Sequence, residues 1–157
     1  MRLDLSVNGT RRVLDVGREA NLLHVLRNHL GLRAARLGCG TEDCGSCRVL
    51  VDGAPVFSCT FAAASVGQRE VTTAEGLEAV PEGRAVVGAL LAEQAGQCGW
   101  CLSGIAVAAT ALIAKDPAPA RDAILAALEP HLCRCGVHAR VVRAVERAAR
   151  ELTASRP

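Results

Sequence analysis

A chain of 157 residues has room for one medium domain or two small ones. Half of the residues are apolar, yet there are only two Phe, one Trp and no Tyr, so the cores must be built from Ala, Leu and Val, and small aliphatic cores are commonly stapled by metal. A formal net charge of +2 points to neither a nucleic-acid nor a membrane-surface partner, and no apolar run is long enough to span a bilayer.

The opening MRLDLSVNGTRRVLDV alternates as a strand at Leu3, Leu5 and Val7, turns at Asn8-Gly9 and returns through Val13 to Val16. Thr10-Arg11-Arg12 is similar to a twin-arginine signal only superficially, because no hydrophobic stretch follows it, and nothing here reads as a secretory leader. The eight cysteines are therefore expected as reduced thiols in a cytoplasmic chain rather than as a disulfide framework. Export with a partner that carries its own signal is the alternative. From Ala20 to Leu30, Leu22, Leu23, Val25, Leu26 and Leu30 recur at helical spacing, with Asn21 to cap the start and Gly31 the end.

GCGTEDCGSC, from Gly38 to Cys47, comes next. Cys39, Cys44 and Cys47 stand at C-x4-C-x2-C spacing and Cys59 follows after a short strand pair, the ligand spacing of a plant-type [2Fe-2S] centre. Four thiolates must wrap a compact anionic core from one side, so the loop has to bend tightly. Gly40 and Gly45, each directly after a cysteine, permit positive φ and let backbone N–H groups approach the sulfurs. A zinc site or disulfides are the competing readings. Arg48 to Val51 is a strand, Asp52-Gly53 a turn, Val56 to Ser58 the return, and Arg69 to Thr73 a last strand. Two hairpins, a crossing helix and a cysteine loop match a β-grasp, plant-ferredoxin-like [2Fe-2S] domain over residues 1–75.

Gly76, Pro81 and Gly83 mark a linker near Glu75 to Gly83. Four helices are expected after it, over Arg84 to Ala95, Gly104 to Ala114, Arg121 to Leu128 and Val137 to Leu152, with Asp116-Pro117 as a stop. They suggest a four-helix bundle over residues 76–157 whose cysteines lie at helix ends. Cys98 and Cys101 form C-x2-C within QCGWC; Cys133 and Cys135 form C-x-C within LCRCG. The helical hairpin between the pairs could bring two helix N-termini, which favour anions, to one point. On these residues alone, zinc and an iron-sulfur cluster both stay open.

Together the two sets resemble the two-cluster [2Fe-2S] small subunit of the molybdenum hydroxylases, the family of xanthine dehydrogenase, aldehyde oxidoreductase, carbon monoxide dehydrogenase and the N-heteroaromatic hydroxylases. QCGWC, Ser103-Gly104 and LCRCG carry the resemblance most firmly, and it runs over essentially the whole chain. CRCG is most similar to the small subunits of isoquinoline and nicotinate dehydrogenases. The resemblance implies an α+β chain that relays electrons and has no catalytic residues of its own. A large subunit would hold a molybdopterin-bound molybdenum and hydroxylate an N-heteroaromatic or aldehyde substrate with oxygen from water. The cluster on Cys98, Cys101, Cys133 and Cys135 would lie nearest the pterin, with Gln97 and Cys135 touching it. The cluster on Cys39, Cys44, Cys47 and Cys59 would face outward, toward an FAD subunit or a cytochrome. This sequence has no flavin-binding or molybdenum-binding segment. It departs from the family pattern at Glu42, where many relatives have Gly, at Trp100, at Glu129-Pro130-His131-Leu132 and at Val137-His138.

Other residues have plainer readings. Eight cysteines satisfy two clusters, so His24, His29, His131 and His138 are expected at the surface rather than as ligands. Arg134 either offsets cluster charge or faces a partner. Arg140, Arg143, Arg147 and Arg150 read as the solvated face of an amphipathic helix. The alternative function is a free-standing ferredoxin or a zinc-stabilised cysteine-rich adaptor.

Overall fold

The alternation at Leu3, Leu5 and Val7 buries all three side chains on one face of β1 (Arg2–Val7), which pairs antiparallel with β2 (Thr10–Asp15). Asn8 and Gly9 both take positive φ, 51° and 73°, as a tight two-residue turn between twisted strands requires. β2 starts earlier than its apolar residues suggest, because the ladder continues to the turn itself, where Val7 faces Thr10. The computed structural model describes residues 1–155; the last two positions of the expected bundle lie outside the described residues.

β3 (Arg48–Val51), β4 (Ala54–Phe57) and β5 (Glu70–Thr72) complete a five-stranded sheet of order β2-β1-β5-β3-β4, in which only the β1 and β5 pairing is parallel. The crossing helix, α1, begins at Leu22–His24, where the Asn21 side chain accepts from the His24 N–H at 2.8 Å. It widens over Val25–His29 into a π-helical turn, with the Leu30 N–H reaching the Val25 carbonyl at 3.1 Å, and ends at Gly31 with φ +71°. Leu22, Leu23, Val25 and Leu26 bury against Leu5, Val49, Val51 and Val71.

The second half holds α2 (Pro81–Ala92), α3 (Leu102–Lys115), α4 (Arg121–Leu128) and α5 (His138–Ala154). α2 packs on α5 and α3, and α3 lies on β3. This contact explains the unbroken apolar run of β3. Strand alternation turns Val49 and Val51 to the α1 side and Leu50 into the helical core, so both faces are buried. On α5, Val141, Val142, Val145, Ala148 and Ala149 are buried. Arg140, Arg143 and Arg150 are exposed and Arg147 half-buried, with Arg143 and Arg147 both 3.4 Å from Glu93, so the solvated-face reading holds.

The expected linker is instead a packed joint. Ala74–Ala79 is a 3-10 helix whose Leu77 is fully buried in the helical core. Asn8 bonds Thr73 twice, Nδ2 donating to its Oγ1 and Oδ1 accepting its N–H, both at 2.9 Å. Glu75 accepts the Ala34 N–H at 2.8 Å. Pro81 opens α2 in the first turn, where a missing N–H costs nothing. Gly and Pro in this stretch serve close packing and a helix start rather than looseness.

Candidate metal centres

No disulfide joins any of the eight cysteines, and all stand as free thiols. The first loop bends as its glycines allow: Gly40 has φ +74° and Gly45 +72°. That bend aims backbone donors at sulfur. The N–H groups of Thr41 and Asp43 each approach Cys39 Sγ at 3.3 Å, and the Cys39 N–H approaches Cys44 Sγ at 3.3 Å. Thr41, through hydroxyl and N–H, and then the Cys44 and Asp43 N–H groups hold the Cys39 thiol down to about 6. Burial pushes Cys47 up to about 12, with Cys59 and Cys44 as near neighbours. Glu42 adopts φ +67°, a conformation natural to Gly, and its carboxylate accepts a hydrogen bond from the Thr60 hydroxyl, tying the loop tip to the segment that carries Cys59.

The second set gathers where helices begin. Cys101 stands at the N-cap position of α3, and Cys133 and Cys135 lead into α5. All four thiols, with Gln97, line one narrow cleft. Cys98 Sγ and Cys135 Sγ are 3.5 Å apart, and Cys101 neighbours Cys133. Burial raises Cys133, but the N–H groups of Val137 and Cys135 outweigh it and leave that thiol below its ordinary value. Cys98 is lowered by the Trp100 N–H and then by Cys135, while burial pushes Cys101 up to about 12. The expectation of helix N-termini around this set is met.

Among the described residues no three or more His, Cys, Asp or Glu side chains gather tightly enough for one metal ion. Sulfurs come together within each set instead: Cys98 Sγ lies 3.5 Å from Cys135 Sγ, Cys101 neighbours Cys133, and Cys47 neighbours Cys59 and Cys44, whose Sγ also meets the Cys39 N–H. Four thiols per site, with N–H donors already directed at the sulfurs, suit a centre of two irons that each take two thiolates. The donor sets fit [2Fe-2S] clusters.

The two sites meet at a seam. The Leu132 N–H donates to the Cys44 carbonyl at 3.1 Å, joining the residue beside Cys133 to a member of the other set. Arg36 Nη1 donates to the Gly99 carbonyl at 2.6 Å with its guanidinium 5.3 Å from the Trp100 ring, and Ser103 Oγ donates to the Ala34 carbonyl at 2.6 Å. Arg36 was invisible as a site residue in the sequence, because nothing local marks which of several arginines reaches across.

His131, expected at the surface, is 2 % exposed and lies against Gly45. Burial lowers its pKa to about 4, the nearby Arg48 charge adding to the shift. His24 and His29 are exposed, and His138 pairs its Nε2 with the His131 carbonyl at 2.8 Å. Gln97 and Arg134 are exposed beside the second set, and Trp100 is 51 % exposed.

Comparison with known proteins agrees with this geometry. A 2Fe-2S iron-sulfur cluster binding domain matches residues 5–75 and a [2Fe-2S] binding domain matches residues 73–146. The chain is 40 % identical to a nicotinate dehydrogenase subunit from Pseudomonas putida, over 94 % of each chain. It is 41 % identical to the alpha subunit of isoquinoline 1-oxidoreductase from Brevundimonas diminuta, over 89 % of this chain and 91 % of that one. The solved quinoline 2-oxidoreductase from Pseudomonas putida superposes with a TM-score of 0.89 at 32 % identity, covering 99 % of this chain and 97 % of the matched chain. Two cysteine sets of matching spacing, two matching cluster domains and relatives aligned nearly end to end lead to one assignment: the chain belongs to the two-cluster [2Fe-2S] subunits of the molybdenum hydroxylases, the electron-transfer members of oxidoreductase complexes.

Proposed function

We propose that this chain relays single electrons from a molybdopterin-binding large subunit to an acceptor, an FAD subunit or a cytochrome, during oxidation of an N-heteroaromatic or aldehyde substrate. The observation that carries the reading is the Leu132 N–H to Cys44 carbonyl bond of 3.1 Å, which leaves the two thiol sets separated by a few covalent bonds and one hydrogen bond. In this reading the chain is a β-grasp domain, 1–75, joined to a four-helix-bundle domain, 76–157.

When bound, a [2Fe-2S] centre accepts and releases one electron at a time. The chain's own residues do the rest. Cys98, Cys101, Cys133 and Cys135 would hold the entry site in the cleft that Gln97 lines, and Gln97 with Cys135 would form the contact to the pterin. Cys39, Cys44, Cys47 and Cys59 hold the exit site, where the N–H groups of Thr41 and Asp43 stabilise added negative charge. Ser46 and Ser58, both buried beside this loop, belong to the packing that excludes water. Leu91, Trp100 and Leu132, exposed at 74 %, 51 % and 64 %, offer apolar surface to a partner. Substrate choice lies with the large subunit; the relatives named above are called dehydrogenases or oxidoreductases of nicotinate, isoquinoline and quinoline.

The test is low-temperature EPR of the dithionite-reduced protein together with whatever copurifies, combined with iron, zinc and molybdenum analysis. Two distinguishable [2Fe-2S] signals, about four irons per chain and molybdenum in the copurifying partner are expected. A single signal, or zinc without iron, overturns the relay.

A further inference from the structure

We infer that Gly45 and Gly104 are positioning residues for electron transfer between the two thiolate sets, their bare backbones fixing the separation of the sets with His131 as the backing wedge. The inference rests on the relay reading above.

Gly104 lies in the first turn of α3, three residues beyond Cys101. A Cβ there would stand 2.1 Å from the Gly45 carbonyl oxygen and 3.3 Å from Ser46 Cα. Backbone meets backbone, and no side chain is present that could rotate aside. On its other side Gly45, at φ +72°, has no more room: a Cβ would stand 2.4 Å from His131 Cδ2 and 2.6 Å from the Pro130 carbonyl oxygen. Gly45, the residue directly after Cys44, is thus gripped between α3 and the Pro130-His131 segment. Each gripping element runs within three residues to a ligand of the other set, Gly104 to Cys101 and His131 to Cys133.

Neither half's core requires this arrangement. Glycine in a helix is less stable than alanine by roughly 0.5–1 kcal/mol. His131 is buried beside the Leu128 and Gly104 backbone, with neither ring nitrogen in a well-formed hydrogen bond, a cost that an aliphatic side chain in the same place would avoid. A flat ring beneath a residue without Cβ brings two chain segments closer than an aliphatic pair would. The side-chain bonds along the seam, Arg36 to Gly99 and Ser103 to Ala34, can stretch; the glycine contact cannot. The step so positioned is a one-electron transfer. Cys98, Cys101, Cys133 and Cys135 would hold the centre that gives up one electron and Cys39, Cys44, Cys47 and Cys59 the centre that gains it, with no atom moved. Tunnelling between them falls steeply with distance.

The experiment uses the holoprotein with its copurified partner. Wild type, Gly104→Ala and His131→Ala are fully reduced with dithionite, and the magnetic splitting between the two reduced centres is read by EPR beside the rate at which the outer centre reduces. Gly104→Ala should weaken the splitting and slow that rate severalfold, with iron content and each centre's own g values kept. His131→Ala adds no bulk, and should broaden the splitting into a distribution. If Gly104→Ala does not load both clusters, His131→Ala decides the question. Wild-type splitting and rate in fully loaded variants, even with a lowered unfolding temperature, reduce both residues to packing and overturn the inference. Failure of wild type to show two centres overturns the relay itself, and the inference with it.

Discussion

Cys98 and Cys135, 37 residues apart in sequence, bring their sulfurs to 3.5 Å. A disulfide needs about 2.05 Å, a short approach for two thiols at the mouth of a cleft. Stripping iron with a chelator and adding a mild oxidant should therefore link Cys98 to Cys135, with Cys98, lowered by the Trp100 N–H and by Cys135, as the attacking thiolate. Cys101 and Cys47, each pushed up to about 12 by burial, should stay as thiols at neutral pH. Peptide mapping without reductant checks it. A Cys101–Cys133 bridge in its place would contradict the assignment of Cys98 as the attacking thiolate.

Replacing Cys101 or Cys133 by Ser should abolish one EPR signal and leave the other. Turnover with a distal acceptor should stop, since both residues line the entry site. Full steady-state activity in a variant shown to lack that centre would remove the relay.

Gln97→Ala should be milder. The side chain is exposed beside the second set and is not one of its four thiols, so both EPR signals should remain while assembly with the molybdenum partner, or the rate of cluster reduction by substrate, declines. Unchanged assembly and unchanged reduction would make Gln97 an ordinary loop residue.

The joint between the halves is accessible to denaturation. Leu77 is fully buried, so Leu77→Ala should destabilise by about 2–5 kcal/mol. Gly83→Ala should also destabilise, because a Cβ there would meet the Leu77 carbonyl oxygen at 2.0 Å. Denaturant midpoints of the holoprotein measure both. A flexible tether at Ala74–Ala79 would tolerate either change.

At the other end of the molecule, Asn21→Ala should cost about 1 kcal/mol through loss of the cap on α1. The same denaturant titration reads it, and a midpoint equal to wild type would mean that the backbone alone starts the helix.

Local chemistry made much of this legible in the sequence. Asn8-Gly9, the Asn21 cap and the Gly31 stop each announce a backbone conformation that only a few residue types tolerate, and each stands where expected. Cysteine spacing carried the sites for the same reason: the loop must close on a compact core. What stayed hidden is what depends on the other half of the chain. His131 reads as a surface histidine until Gly45 is known to lie against it, and Gly76 with Gly83 reads as a linker until Asn8 and Leu77 are seen packed against them. The apolar run of β3 gave no sign that Leu50 would serve the helical core rather than the sheet.

The seam at Gly45, Gly104 and His131 bears on how such subunits can be recombined. Each half carries a recognisable cluster motif, which invites grafting one half onto a relative's other half. The faces are complementary at the level of missing atoms, however, so a donor with any side chain at the Gly104 position would collide with the recipient's loop. The two halves are matched castings rather than interchangeable parts, and a working hybrid would have to inherit all three residues together.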